Sequence, residues 1–278
     1  MNGVPPPLGL IAGSRSLPRV LAREARAQGR RVIAVGFEGE TDPGLAAEVE
    51  ELVWLRVGQL GKMIDAFTRR GVKQCVMLGQ IAPRNLFDLR PDLRAMALLL
   101  RLKEKNAHTI FGAIGDELAR DGVELIPALP WLQAWMPGPG YAVGPGLSEA
   151  ERDDVEYGSG LAKEVSRLEI GQSVVVKRGT VLAVEAFEGT DACLERGGRL
   201  AGKSGGAVAV KVAKPGHDLR FDLPTIGPRT LETCAAHGVR VLAVEAGRTL
   251  LLDRPDFETL ARDRGLSVLT VTPASAPA

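Results

Sequence analysis

Short apolar runs alternate with helical patterns along the first half of the chain. The strand-like runs cover residues 8–13, 31–37, 52–57 and 74–79, and helical periodicity covers about 18–28 and 60–70. Apolar runs of this length between helices are typical of βαβ units, whose parallel sheet is covered by helices on both faces. The pattern therefore predicts a Rossmann-like first half, with ligands bound outside the carboxyl ends of its strands.

Two further helical patterns, at residues 92–105 and 110–122, precede a predicted strand at 123–129. The apolar positions of the first pattern include Met96, Leu98, Leu99, Leu100 and Leu102. A helix with so little polar face is buried in a core or lines an apolar pocket, and we favour the core.

Proline and glycine are concentrated at residues 136–151, which indicates a linker because both residues interrupt regular structure. A chain of 278 residues is long enough for two domains of roughly 100–200 residues each. We predict an α/β protein with an N-terminal Rossmann-like domain over 1–137, a hinge over 138–150, and a C-terminal α/β domain with a mixed sheet over 151–278.

In the C-terminal half, alternating strands predict a hairpin around Arg178 and Gly179. The string VLAVEA occurs at 181–186 and again at 241–246, where the chain is expected to turn back into a partner strand. We interpret the repeated string as coincident strand composition.

The charge balance argues against a nucleic-acid partner. The chain has 35 Lys and Arg residues against 34 Asp and Glu residues, which leaves a net charge of +1. Nucleic-acid binding needs a basic surface, so any site for a polyanion has to be local.

The three cysteines, Cys75, Cys193 and Cys234, are odd in number and widely spaced. This excludes a fully paired disulfide framework and is typical of a reducing cytoplasm. With only three histidines in the chain, a zinc site is not expected. A metal would be a hard cation held by carboxylates, and Mg²⁺ is the natural candidate.

The N-terminus lacks a basic region followed by a long apolar one, so no signal peptide is predicted. No stretch approaches the roughly 20 apolar residues of a membrane span. We expect a soluble protein, or one that sits on a membrane surface.

The loop after the first strand, in the string GLIAGSRSLP, is a candidate ligand site. It does not match the dinucleotide fingerprint, because Gly9 and Gly13 have the wrong spacing and Arg15 and Ser16 replace glycines. Gly13, Ser14 and Ser16 could still bind phosphate through backbone N–H groups at a helix N-terminus. An ordinary turn with a serine cap explains the same residues.

A second candidate site lies in the segment 208–228, which begins as an apolar strand and then becomes densely charged. The charged and titratable residues there are Lys211, Lys214, His217, Asp218, Arg220 and Asp222. Cations and carboxylates beside a helix N-terminus can bind a phosphate ester with a bridging metal ion. The alternative is a solvated charged loop.

Another strand end places Glu188, Thr190 and Asp191 immediately before a short helix. The charged segment likewise runs into a helix, in whose first turn Pro228 is favoured. The two polar loops could therefore face one cleft.

Long strings in three segments carry a resemblance to a known family. They are LIAGSRSLP at 10–18, IGQSVVVKRGTVLAVEAFEGTDACLERGG at 170–198, and the segment 211–247, which contains KPGHDLRFDLPTIGP. These strings resemble the LpxI-type UDP-2,3-diacylglucosamine pyrophosphatases of lipid A biosynthesis, and the similarity spans nearly the whole chain.

The resemblance implies hydrolysis of UDP-2,3-diacylglucosamine to UMP and 2,3-diacylglucosamine 1-phosphate with Mg²⁺, by two α/β domains that close over the substrate. It implies that Asp222 binds metal and water, with Asp218 as a second carboxylate contact. Phosphate oxygens are assigned to Lys211, Lys214 and Arg220, and Lys214 and Arg220 join the two aspartates as candidate catalytic residues. The candidate substrate-binding residues are Gly13, Ser14, Ser16, Gln80, Glu188, Gly189, Thr190, Asp191, Lys211, His217, Thr225 and Gly227.

Two positions depart from the family pattern. His217 stands where the family has glutamine, and it could form the same hydrogen bonds. Arg15 stands where the family has the second glycine of the first loop, and its side chain makes close approach of a ligand to the backbone harder.

An amphiphilic substrate predicts a protein that visits the cytoplasmic face of the inner membrane, with the apolar middle helices sheathing acyl chains. The oligomeric state stays open, and a homo-oligomer is compatible with the sequence. Two other functions also remain: a nucleotide-sugar sensor without turnover, and a nucleotide-sugar transferase or NAD-dependent enzyme.

Overall fold

The computed structural model describes residues 5–81, 91–103, 107–214, 220 and 223–272, with the backbone alone for 107 and 108. The chain forms two compact units. The first extends to Leu132 and also includes Arg220, and the second begins at Gln133.

The first unit is built on a parallel sheet. Its strands are β1 (Leu8–Ala12), β2 (Val32–Phe37), β3 (Glu51–Leu55), β4 (Gln74–Leu78) and β5 (Glu124–Leu125). Its helices are α1 (Leu17–Ala27), α2 (Leu60–Thr68), α3 (Leu93–Arg101), α4 (Ala107–Arg120) and α5 (Leu129–Leu132), with a 3₁₀ helix at Pro43–Ala47. The strand order is β3-β2-β1-β4-β5, and each pairing is parallel. The predicted Rossmann-like sheet is confirmed.

Side chains on both faces of this sheet are buried, as a parallel sheet requires. Ile11 and Ile33 pack in one cluster with Phe67 of α2 and Leu118 of α4. The alternate position Leu10 points to the opposite face and is buried as well. The apolar runs in the sequence therefore correspond to strands enclosed on two sides.

Helix α3 differs from its predicted place in the core. Leu98 is buried, whereas Leu93, Met96 and Leu100 are 85%, 46% and 81% exposed. Leu93, Met96 and Leu100 are spaced at i, i+3 and i+7, so they form one apolar stripe along the exposed side of the helix. The prediction of a buried helix is wrong for Met96 and Leu100, because only one face of α3 packs on the unit.

The second unit contains a mixed sheet. The strands of the second unit are β6 (Ala142–Val143), β7 (Ser173–Lys177), β8 (Thr180–Val184), β9 (Ala207–Lys211), β10 (Thr225–Ile226), β11 (Val239–Glu245), β12 (Leu250–Leu251) and β13 (Ser267–Val271). Its helices are α6 (Glu149–Arg167), α7 (Thr190–Leu200), α8 (Pro228–His237) and α9 (Arg254–Asp263), with a 3₁₀ helix at Gln133–Trp135. The sheet order is β6-β13-β11-β9-β7-β8, in which β9, β11 and β13 are parallel and β6 and β7 run against them. The predicted mixed sheet is confirmed.

The predicted hairpin joins β7 to β8. Arg178 and Gly179 both have positive φ, at 50° and 71°, as a two-residue turn that follows the twist of the strands requires. The buried carboxylate of Asp154 in α6 accepts hydrogen bonds from both turn amides at 2.7 Å. The helix therefore fixes the hairpin in place.

The proline- and glycine-rich segment is hydrogen-bonded to the second unit. Within it, β6 pairs with β13, and the Thr270 hydroxyl donates to the Gly138 carbonyl at 2.9 Å. The predicted domain limits and the hinge at 138–150 stay predictions. The prediction that β11 pairs with the strand after it is wrong, because that strand, β12, pairs with β10 in a separate two-stranded sheet.

The three cysteines are buried and free, and burial raises the pKa of each thiol to about 12. A nucleophilic cysteine needs a lowered pKa, so none of the three is a candidate catalytic nucleophile. In the part of the chain that is described, no helix is both long and apolar enough to cross a membrane.

Candidate functional site

The first candidate site lies where the strand order of the first sheet reverses. From β1 the chain continues to β2 on one side, whereas β4 lies on the other side. Crevices at such reversals, outside the carboxyl ends of the strands, are where open α/β sheets bind ligands. Gly13 and Ser14 follow β1 and Gly79 and Gln80 follow β4, so these residues lie at that place.

The two loops touch through their backbones. The Ser14 N–H and hydroxyl both donate to the Gln80 carbonyl, each at 2.8 Å. A Cβ on Gly13 would lie 2.6 Å from that carbonyl oxygen, and one on Gly79 would lie 2.7 Å from the Ser14 carbonyl oxygen. Glycine is therefore required at both positions, and the Ser14 hydroxyl is already used in holding the loops together.

Arg15 and Ser16 complete the first loop. Arg15 has φ of 70°, a conformation that favours glycine, and a non-glycine residue there costs about 1 kcal/mol. The Ser16 side chain makes no capping hydrogen bond to α1, so the interpretation of Ser16 as a serine cap is wrong. The predicted binding of substrate by Gly13, Ser14, Ser16 and Gln80 stays a prediction.

The second candidate site lies at one edge of the mixed sheet. Strands β8, β9 and β11 run in the same direction, because β7 is antiparallel to both β8 and β9 and β11 is parallel to β9. Their carboxyl ends carry Glu185, Lys211 and Glu245, and these three residues are all buried. The edge therefore gathers buried charges from three strands.

On the side of the sheet covered by α7, Lys211 and Glu185 are connected through Thr190. The Lys211 ammonium donates to the Thr190 hydroxyl at 2.8 Å, and that hydroxyl donates to Glu185 Oε1 at 3.0 Å. Thr190 is the first residue of α7, and Gly189 before it has φ of 84°. Among the described residues of the second unit that were proposed from the sequence, Lys211 and Thr190 are joined directly by a hydrogen bond between their side chains.

On the opposite side of the sheet, covered by α6, Glu245 forms an ion pair with Lys163. Glu245 Oε2 accepts from the Lys163 ammonium at 2.6 Å and from the Ala213 N–H at 2.8 Å. Lys163 also donates to the Ala213 carbonyl at 3.0 Å. The pair thus fixes the backbone immediately after β9.

The other predicted residues of this unit have local partners. Glu188 pairs with Arg196, whose hydrogen bond lowers the pKa of the Glu188 carboxyl, and Asp191 pairs with Arg229. Lys214 pairs with Glu169 at 2.5 Å. The Thr225 hydroxyl donates to the Leu223 carbonyl, and the Gly227 N–H donates to Thr230 at the start of α8.

Three predicted residues, His217, Asp218 and Asp222, lie outside the described residues. Arg220 belongs to the first unit, where a Cβ on Gly115 of α4 would lie 3.7 Å from its guanidinium. Lys211 and Lys214 belong to the second unit. Within the described ranges, no three His, Cys, Asp or Glu side chains cluster as metal ligands. The predicted binding of Mg²⁺ by Asp218 and Asp222 stays a prediction.

Sequence reasoning missed Glu185, Glu245 and Lys163. A signal for the two glutamates was present, because they are the glutamates of the repeated string VLAVEA. Both copies form strands of one sheet that run in the same direction and place their glutamates at the same edge. Lys163 gave no comparable signal, since it lies 82 residues from Glu245 on an amphipathic helix.

The two units and their polar sheet edges define a two-domain α/β protein with candidate anion sites in both units. Residues 7–135 match the LpxI N-terminal domain, and residues 139–269 match the LpxI C-terminal domain. The chain belongs to the LpxI family, which confirms the resemblance found in the sequence.

One relative is the UDP-2,3-diacylglucosamine pyrophosphatase LpxI of Caulobacter vibrioides. It is 34% identical over 286 residues, which cover 97% of this chain and 99% of the relative. The relative is therefore similar along both units.

Similar solved structures include a biotin carboxylase domain of a thermophilic 2-oxoglutarate carboxylase, with 12% identity and a TM-score of 0.27. Another is N5-carboxyaminoimidazole ribonucleotide synthetase of Thermotoga maritima, with 14% identity and a TM-score of 0.25. They cover 60% and 66% of this chain, which spans 34% and 42% of their lengths. Likenesses this weak carry no inference about function.

Proposed function

We propose that this protein hydrolyses the diphosphate of UDP-2,3-diacylglucosamine, giving UMP and 2,3-diacylglucosamine 1-phosphate with Mg²⁺ in a cleft between two closing domains. The observation that carries the proposal is the similarity to a UDP-2,3-diacylglucosamine pyrophosphatase over 97% of this chain and 99% of the relative. Similarity over both units favours conservation of the whole reaction rather than of one ligand-binding unit.

The cations at the edge of the mixed sheet support this chemistry. Negative charge develops on phosphorus oxygens during hydrolysis, and fixed cations stabilise it most strongly where water is excluded. Lys211 is 6% exposed and ends β9, which makes it a cation of this kind. We assign Lys211, Lys214 and Arg220 to phosphate oxygens.

Asp218 and Asp222 would hold the metal ion. Among the described carboxylates at this edge, Glu188, Asp191 and Glu245 are each paired with a cation. Bound Mg²⁺ would polarise a phosphoryl oxygen and lower the pKa of its water. Asp222 then orients the attacking water, and Asp218 is the second carboxylate.

The direct test is a thin-layer assay of wild-type protein with UDP-2,3-diacylglucosamine, run with Mg²⁺ and with EDTA. We expect release of UMP and the lipid monophosphate with Mg²⁺, and loss of that release with EDTA. Equal release in both conditions would support the proposed hydrolysis and contradict its dependence on Mg²⁺. Thermal stabilisation by the substrate without any product would instead favour a sensor.

We also propose that the protein binds the cytoplasmic face of the inner membrane, and that the stripe of Leu93, Met96 and Leu100 on α3 inserts into the bilayer. A row of exposed apolar side chains on one helix face is typical of interfacial helices. Arg101 and Lys103 are exposed next to it and are suited to anionic lipid headgroups.

Flotation with vesicles of phosphatidylcholine and phosphatidylglycerol tests this surface. Wild type is expected to float with the vesicles, and the Leu93→Glu/Leu100→Glu variant to lose most of that binding because two charges enter the stripe. Leu200→Glu, at an exposed leucine of α7, is the matched control and should float as wild type does. Equal flotation of all three proteins would exclude α3 as the contact.

A further inference from the structure

Three buried polar side chains form a row across β8, β7 and β9. Ser173 of β7 lies directly opposite Lys211 of β9, and the Glu185 N–H donates to the Ser173 carbonyl at 2.9 Å. The residues two positions away on the same strands are Val175, Ala183 and Ala209, and all three belong to one core cluster with α7. Because side chains alternate along a strand, Glu185, Ser173 and Lys211 all point to the α7 face.

The hydrogen bonds in this row have one possible direction. An ammonium only donates and an ionised carboxylate only accepts. The Thr190 hydroxyl therefore accepts from Lys211 and gives its single proton to Glu185. Glu185 determines the orientation of the hydroxyl, and the hydroxyl determines the position of the ammonium.

Lys211 differs from the other two lysines near this edge in the kind of partner it has. Lys163 and Lys214 contact carboxylates directly, at 2.6 and 2.5 Å. Over the described residues Lys211 has no such ion pair, because the Thr190 hydroxyl lies between it and Glu185. Its ammonium is thus held in place while its charge and its remaining N–H groups are left for an anion.

The row also contains polar atoms without a described partner. Glu185 Oε2 and Ser173 Oγ are both buried, and neither makes a hydrogen bond to any residue that the structure describes. Buried polar atoms of this kind call for a specific explanation, since leaving one unpaired is costly. A row built only to stabilise the sheet would be expected to pair all of its atoms, as the Lys163–Glu245 pair does.

We infer that Glu185 is a positioning residue, which acts through Thr190 to hold the Lys211 ammonium against a phosphate oxygen of the substrate. The inference rests on the proposed function, in which Lys211 binds the diphosphate. It adds two roles to that function: Thr190 positions Lys211, and Glu185 orients Thr190. A flexible lysine that is fixed before the substrate arrives loses less conformational entropy on binding.

The test compares variants that keep or remove the hydroxyl. Thr190→Val has nearly the same shape without the hydroxyl, and we expect it to lower kcat/KM by about tenfold to a hundredfold, as for the loss of a hydrogen bond to a charged group. Thr190→Ser should stay within about threefold of wild type, because it restores that bond. Thr233→Val, on α8 of the same unit, is the control for the substitution itself and should have no effect.

The role of Glu185 is tested in two backgrounds. Glu185→Leu, which cannot accept the Thr190 hydrogen bond, should lower kcat/KM in the wild-type background and have no further effect when Lys211→Met is already present. Non-additivity of this kind is the mark of residues that act as one unit. A purely structural residue would lower activity by the same factor in both backgrounds, which would overturn the inference.

A readout without turnover separates this inference from the proposed function. Titration with inorganic pyrophosphate and Mg²⁺, followed by calorimetry, should show binding to wild type and to Thr190→Ser, and binding about tenfold weaker to Thr190→Val. If UDP-2,3-diacylglucosamine is not hydrolysed but this pattern is found, the proposed function fails and the positioning role stands. Equal binding by all variants, or none by wild type, overturns the positioning role.

Discussion

Replacing Asp222 by asparagine is expected to reduce turnover of UDP-2,3-diacylglucosamine by about a thousandfold or more, with substrate binding retained. The amide keeps the size of the side chain but removes the charge that we assign to metal and water. Loss of several kcal/mol of transition-state stabilisation corresponds to a rate loss of this order. Single-turnover assays with excess enzyme, beside calorimetric binding of substrate, measure the two quantities separately.

Asp256→Asn is the matched control, because Asp256 is an exposed aspartate in the first turn of α9. It should keep wild-type activity and stability. An Asp222→Asn protein that is folded and fully active would remove the central catalytic assignment, whichever residues bind the phosphates.

Replacing Lys163 by methionine is expected to lower the free energy of unfolding of the second unit by about 3 kcal/mol. The side chains of Lys163 and Glu245 are only 16% and 10% exposed, so the variant removes the nearer cation from a buried carboxylate and leaves Arg248 at 3.6 Å. Ala213 would also lose the hydrogen bond to its carbonyl. Urea denaturation followed by circular dichroism measures the loss.

Arg167→Met provides the comparison, because Arg167 pairs with Glu164 at the surface, where both side chains are more than half exposed. Exposed pairs contribute about 0 to 1 kcal/mol, so this variant should unfold almost as wild type does. If Lys163→Met were as stable as Arg167→Met, the buried Lys163–Glu245 pair would contribute no more to the free energy of unfolding than an exposed pair does.

The elements that were predictable from sequence are those determined by local pattern. Apolar runs identified β1, β2 and β4 because strands buried on two faces have no alternation of polar residues. The β7–β8 hairpin was predictable because its two turn residues join alternating strands. Neither inference depended on the rest of the molecule.

The errors came from contacts between distant residues. Helix α3 is apolar on most sides, and only the tertiary structure decides that Leu98 is buried and Leu100 is exposed. The strand expected to pair with β11 after Gly247 instead pairs with β10, so the local pattern identified a strand but not its partner.

The candidate site was predictable in part. Lys211 and Thr190 were both proposed from strand ends, and the structure joins them across 21 residues of sequence. Glu185 was overlooked because a glutamate after an apolar strand is most often solvated, and its burial follows from α7 covering the strand end.

The close contact between Gly13 and Gly79 has a mechanical consequence for the first unit. The two backbones pass so closely that neither glycine has room for a Cβ, and two hydrogen bonds from Ser14 to the Gln80 carbonyl oppose their separation. The ends of β1 and β4 therefore shift as one body. A ligand that displaces either loop must move both, so the resistance it meets is that of the central sheet rather than that of a single flexible turn.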